Sequence, residues 1–237
     1  MRILVMDGAA TGAQAQAVIA CIVLHGDSLS VLATRVAEGR GAAEQFPLLA
    51  TELFAECGWT HGMPELVGVI VGPGSFTGLR ASLAFAHGLA AGSGCAVVGV
   101  TAGEAMAAAL QEAARPLGAS PLCCTIARRE RVFIETLEAS GASGTVSAHM
   151  RDTLDLPDGP LMLAGNGAQW VAGVLPQRHD IHQADLPASD PLAIATVALR
   201  RLRGELPPRA AQPLYVDAPE AKLPAAGLRP PPVMATP

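Results

Sequence analysis

The spacing of apolar and polar positions changes several times along the chain, and each change predicts an element. Arg2–Met6 is a short apolar run closed by Asp7 and Gly8. Val18–Leu24 is rich in β-branched residues, His25-Gly26-Asp27 supplies turn chemistry, and Leu29–Arg35 reads as a third strand. Strands joined by short turns predict an antiparallel meander. Over Ala43–Cys57 the period lengthens. Phe46, Leu49, Ala50, Leu53, Phe54 and Cys57 fall on one helical stripe, with Pro47 tolerable in the first turn. Leu66–Val71 reads as a buried strand running into Gly72-Pro73-Gly74-Ser75-Phe76-Thr77-Gly78-Leu79-Arg80. An alanine-rich helix is predicted from Leu79 to Ala91, a strand over Cys95–Val100 and a further helix over Gly103–Ala114.

The second half is less regular. Leu122–Ala127 and Arg131–Leu137 predict a hairpin around Arg128-Arg129-Glu130, and Leu161–Ala164 a short strand ending in Gly165-Asn166-Gly167. Ser189-Asp190-Pro191 is a helix start, with a capping residue and a proline in the first turn, leading into Leu192–Arg203. From Glu205 proline punctuates the chain, and Pro230-Pro231-Pro232 predicts a disordered tail. No clean sequence repeat is visible, although two structurally related halves need not show one.

Composition narrows the picture. A chain of 237 residues, half of them hydrophobic, suits one large domain or two small ones sharing a core. Aromatics are only 3% while alanine and glycine abound, so the core packs closely and gains little per residue. A net charge of −5 argues against a protein that grips nucleic acid by itself. The basic groupings, Arg128, Arg129 and Arg131, and Arg200, Arg201 and Arg203, read either as solvated faces or as an RNA patch. The five cysteines show no C-x-x-C spacing and read as buried thiols of a reduced, cytoplasmic protein. No apolar stretch is long enough for a bilayer, and the opening residues do not read as a signal peptide.

The glycine loop is the main candidate for chemistry. A strand–loop–helix joint can aim backbone N–H groups at an anion, and Gly72, Gly74 and Gly78 permit angles denied to other residues. Asp7, Ser75, Thr77 and Arg80 complete that candidate anion or nucleotide site. No lysine follows the last glycine, so this is not a Walker A loop. A phosphate cradle and a purely structural turn both remain open. No histidine pair has metal-ligand spacing on one helical face. Ser75 lies in G-P-G-S-F rather than a G-x-S-x-G elbow, which makes it a capping residue before a nucleophile.

These residues resemble a known family. Gly72–Arg80 is similar at every position to the signature G-P-G-S-F-T-G-L-R of the bacterial TsaB (YeaZ) proteins. The flanks agree: Arg2–Asp7, Val97–Thr101 with Glu104-Ala105, Ala127-Arg128-Arg129, Gly165-Asn166-Gly167-Ala168 and Pro213-Leu214-Tyr215-Val216. Two stretches depart from the pattern, Asp7–Gly12 in the first turn and Gly41-Ala42-Ala43-Glu44 before the first helix.

The resemblance implies the actin/Hsp70/sugar-kinase (ASKHA) fold, an α/β architecture of two related lobes with mixed sheets. Lobes over 1–105 and 106–224 and a tail over 225–237 are expected. The implied role is a non-catalytic subunit that pairs with a TsaD-type transferase and works with a TsaE-type ATPase. The product is N6-threonylcarbamoyladenosine at position 37 of tRNA, which the chain meets only through the complex. A homodimer is also implied. In both assemblies the first two helices form the interface, which places Phe46, Leu49, Ala50, Leu53, Phe54, Leu79, Leu83, Ala86, His87 and Ala90 there. No cofactor is expected on the chain alone, with ATP or ADP confined to the interface of a complex. The alternative is an ATP-dependent transferase or hydrolase of the same superfamily.

Overall fold

The computed structural model describes residues 1–11, 16–59, 63–126, 131–186 and 190–216. Its first sheet holds β1 (Arg2–Asp7), β2 (Gln16–His25), β3 (Ser28–Glu38), β4 (Leu66–Gly72) and β5 (Ala96–Thr101), in the order β3-β2-β1-β4-β5. β1, β2 and β3 pair antiparallel, as consecutive strands with short turns should, while β1, β4 and β5 pair parallel. Parallel neighbours need crossover connections. Helix α1 (Phe46–Glu56) lies between β3 and β4, and α2 (Phe76–Ser93) between β4 and β5. The interior strand β4 is buried along its whole length, so it reads as a continuous apolar run rather than an alternation.

Each face of this sheet is covered. Leu4, Met6, Ile19, Val67 and Val69 pack with Phe46, Ala50 and Leu53 of α1 and Leu83 and Ala86 of α2. Ile3, Val5, Ile22, Leu66 and Ile70 pack on the opposite side with Ile194, Ala195 and Ala198 of α5 (Pro191–Leu202). A Cβ at Gly68 would stand 2.9 Å from that of Ala198. The missing side chain is what lets α5 approach the sheet.

The second sheet holds β6 (Ser120–Ile126), β7 (Val132–Leu137), β8 (Ser143–His149), β9 (Leu161–Ala164) and β10 (Ile181–Gln183), in the order β10-β9-β6-β7-β8. Strand for strand this repeats the first: an antiparallel meander, then two parallel strands on the far side of its first member. Helix α4 (Ala168–Val174) joins β9 to β10 as α2 joins β4 to β5. The relationship that sequence similarity conceals is therefore explicit in the topology, and the expected two-lobed ASKHA fold is present.

The closing helices are exchanged between lobes. Helix α3 (Ala102–Ala114) follows β5, yet Met106 and Leu110 pack with Cys123, Met162 and Ala164 of the second sheet. Helix α5 follows β10, yet it lies on the first sheet, and α3 and α5 touch each other. Contacts cross the expected division after residue 105. Both α5 and residues 209–214 return to the first lobe, through Gly99 N–H to Arg209 O at 3.1 Å and Leu214 N–H to Val71 O at 2.8 Å. The tail expected over 225–237 lies outside the described residues.

Most element predictions agree within a few residues, and the exceptions have local causes. The first helix was expected from Ala43; the stretch Ala42–Gln45 is a 3-10 turn, and α1 proper begins at Phe46. The second was expected over Leu79–Ala91, but the Ser75 cap starts it at Phe76, and it ends against Gly94 in the left-handed region at φ 73°. β8, α4 and β10 had no counterpart in the sequence reading. β8 is polar along most of its length, and α4 and β10 are only seven and three residues long, so local pattern alone does not mark them.

Candidate functional site

The glycine loop is a packing joint between two segments of the first lobe. Ser75 caps α2, its Oγ accepting from Gly78 N–H at 3.3 Å, while Leu79 N–H donates to Ser75 O at 2.9 Å. Ser75 N–H itself donates to Ala9 O at 2.7 Å. A Cβ at Gly74 would stand 2.2 Å from Ala9 O, and one at Gly78 would stand 2.0 Å from Gly8 O. Asp7, buried at the end of β1, turns the chain there by accepting from Ala9 N–H at 2.8 Å. The N–H groups of Ser75, Gly78 and Leu79 are therefore spent within the chain, and backbone fills the space beside Gly74 and Gly78. Among the candidate anion-site residues, Asp7, Gly74, Ser75 and Gly78 are thus engaged in a structural joint. Thr77 and Arg80 project to solvent from the first turn of α2.

The second lobe repeats the device. Gly167 N–H donates to Cys124 O at 2.9 Å, and Asn166 Oδ1 accepts from Ile126 N–H at 2.8 Å. In both lobes the loop after the fourth strand grips the end of the first strand. The two ends also meet, Thr11 Oγ1 donating to Ile126 O at 2.9 Å across the lobe boundary. The hairpin arginines Arg128 and Arg129 lie outside the described residues.

The predicted interface stripe divides. Phe46, Ala50 and Leu53 of α1 and Leu79, Leu83 and Ala86 of α2 are buried in this chain's own core, so they are not surface for a partner. They form the stripe because an amphipathic helix on a sheet turns its most apolar side inward. Leu49, Phe54 and Ala90 are half-buried. The outward side carries Leu48, 63% exposed, on α1 and Ala84, His87, Gly88, Ala91 and Gly92 on α2. His87 already has a partner, its Nε2 lying 2.7 Å from Ala211 O. It holds the C-terminal segment against α2.

Sequence reasoning missed a buried polar cluster between the lobes. Arg201, read as part of a solvated or RNA-binding face, is 7% exposed and enclosed. Its guanidinium reaches Glu104 Oε1 at 2.5 Å and Oε2 at 3.2 Å, Gly99 O at 2.6 Å and Pro207 O at 2.6 Å. Glu104 also completes a capping box with Thr101 at the start of α3 and accepts from Ser143 N–H at 3.1 Å. Burial pushes the Glu104 carboxyl up, but Arg201 and the N–H groups of Thr101 and Ser143 outweigh it and hold it below the ordinary carboxylate range. Beside it Glu135 of β7 accepts from the Thr101 hydroxyl and from Gly103 N–H at 2.9 Å. Burial raises the Glu135 carboxyl more than those bonds lower it. One signal was legible: the spacing Thr101-x-x-Glu104 is that of a capping box. Its long-range partner on α5 was not.

Among the described residues no group of three or more His, Cys, Asp or Glu could hold a metal ion, and no helix is long and apolar enough to cross a membrane.

Known proteins resemble this chain in sequence and in shape. Residues 37–164, more than half of the chain, match the family model described as TsaD: tRNA N6-adenosine threonylcarbamoyltransferase. YeaZ from Pseudomonas aeruginosa superposes with a TM-score of 0.64 at 23% identity, over 90% of this chain and 99% of that one. A second solved structure, of an uncharacterized protein with similarity to peptidase YeaZ from Pseudomonas aeruginosa, gives 0.65 at 24% identity over 91% and 99%. No curated protein sequence matches the chain. The match over the first lobe's end, the glycine joint and most of the second sheet places this chain in the TsaD family, with the fold of YeaZ.

Proposed function

We propose that this chain is a TsaB-type, non-catalytic subunit that binds and activates a TsaD-type transferase in tRNA threonylcarbamoyladenosine formation. The observation that carries the reading is the outward side of α2. Gly88 and Gly92 stand one turn apart there, next in line to Ala84, and nothing lies within 4 Å of where a Cβ would be at either glycine. A glycine inside a helix costs about 1 kcal/mol relative to alanine. Neither glycine returns that cost through a contact in its own chain. A helix from a partner laid along this side would do so, since small residues let backbones approach closely. The neighbouring α1 adds Leu48 and the half-buried Leu49 and Phe54 to the same proposed surface.

The spent N–H groups of the glycine joint support a role in assembly rather than phosphate chemistry. A TsaE-type ATPase, tRNA held through the complex, and a homodimer using the same helices in the subunit's free state complete the proposal. The setting is the cytoplasm. Any ATP or ADP would sit at an interface of the complex rather than at the joint.

The test is co-purification with the same organism's TsaD-type subunit, followed by reconstitution of the modification. Association with the wild-type chain, its loss in Gly88→Leu, and a fold retained by circular dichroism are expected. Modification that proceeds at full rate without this chain would reject the reading. Leu53→Glu is unsuitable for this purpose, because Leu53 is fully buried and the substitution attacks the core.

A further inference from the structure

One surface cluster lies outside the glycine side of α2. Phe76 is 47% exposed and Tyr215 57% exposed, with ring centroids 6.1 Å apart, and Arg80 Cζ sits 4.2 Å above the Phe76 ring. Only eight of 237 residues are aromatic, two Trp, one Tyr and five Phe. That the single tyrosine and a phenylalanine stand together in solvent is unlike the remainder of the chain. Tyr215 is held there by Leu214 N–H to Val71 O at 2.8 Å and by the bond between Ala211 O and His87. Among the described residues Arg80 makes no ion pair, and α2 carries no acidic residue along its length.

We infer that Phe76, Arg80 and Tyr215 form the anchoring contact for a partner protein segment that presents a carboxylate flanked by apolar side chains. The inference rests on the function proposed above and names the chemistry of that partner. Exposed aromatics and arginine are the residues that dominate protein interfaces, because they bury large area at little entropic cost. A guanidinium already stacked on a ring is pre-oriented, so less freedom is lost when a carboxylate arrives. A nucleic acid is the weaker occupant. One guanidinium on a chain of net charge −5 cannot supply the several phosphate contacts that RNA binding needs. The cluster is continuous with the outward side of α2, so a partner lying along Ala84, Gly88 and Gly92 would meet it at the helix start.

The experiment measures the dissociation constant of the complex with the TsaD-type subunit for wild type, Phe76→Ala, Arg80→Gln and Tyr215→Ala. Thermal melting of each free variant confirms folding. Each variant is expected to bind at least tenfold more weakly. Affinity of the wild type should fall between 50 mM and 500 mM salt, and that dependence should flatten in Arg80→Gln. Wild-type affinity and salt dependence in all three variants would overturn this inference while leaving the proposed function intact. Failure of the wild-type chain to associate at all would overturn both. Normal assembly combined with lost tRNA binding by the assembled complex would overturn it in favour of an RNA contact.

Discussion

Arg201 and Glu104 form a two-point ion pair between α5 and α3, 97 residues apart in sequence, at the place where the two lobes exchange their closing helices. Both side chains are almost fully enclosed. The pair is tied to β5 through Gly99 O, to β8 through Ser143 N–H, and to Arg209, whose Nε lies 3.6 Å from Glu104. A buried pair like this is not a large net gain over apolar residues, but removing one member leaves an uncompensated charge.

Arg201→Ala is therefore expected to lower stability by about 3–5 kcal/mol. Arg203→Ala, which removes an exposed side chain 3.9 Å from the exposed Asp27, should change it by less than about 1 kcal/mol. Urea denaturation of the two variants checks the contrast. Equal effects would remove the buried cluster from any structural role.

The two neighbouring carboxyls give opposite pH signatures. Glu104 is held below its ordinary value, so its contribution is present above the ordinary carboxylate range and is lost as pH falls through its lowered value. Glu135 is raised, so its contribution is present below the ordinary range and is lost as pH rises through its raised value. Denaturation from pH 3 to pH 8 should show the difference between wild type and Glu104→Gln growing with pH. Relative to Glu135→Gln, wild type should instead lose ground as pH rises. Parallel curves for the two variants would contradict this assignment.

Glycines divide into those the chain needs and those it does not. Gly103→Ala places a Cβ 2.5 Å from the Glu135 carboxyl carbon and should destabilise by about 1–3 kcal/mol. Gly92→Ala meets nothing within 4 Å and should stabilise the free chain by about 0.5–1 kcal/mol. Thermal melting of the isolated protein separates the two cases by sign.

Thiol reactivity should follow burial. Cys21, Cys123 and Cys124 are enclosed, and burial pushes the Cys124 thiol up to about 12. The thiolate is the reactive form. Iodoacetamide at pH 8 should label the half-buried Cys57 and Cys95 first and leave the enclosed three untouched until the chain unfolds. Peptide mapping by mass spectrometry reads the order.

What the sequence determined by itself was mostly local. Apolar period and turn chemistry located β1 through β5, the helices between them and the Ser75 and Asp190 caps, because those signals act over a few residues. The glycine signature identified the family, although not the use of the loop. A run such as Gly72–Arg80 permits a close backbone approach, but only the position of Gly8 and Ala9 beside it shows that Gly74 and Gly78 are used for one. The same holds for the helical stripe on α1. Periodicity grouped Phe46, Leu49, Ala50, Leu53 and Phe54, but the depth of the sheet beneath sent Phe46, Ala50 and Leu53 inward and left Leu48 outside. Arg201 shows the limit most plainly. Three arginines within four residues look alike in sequence, and a carboxylate 97 residues away, brought near by the crossing of two lobes, makes one of them the buried centre of a polar cluster between the lobes.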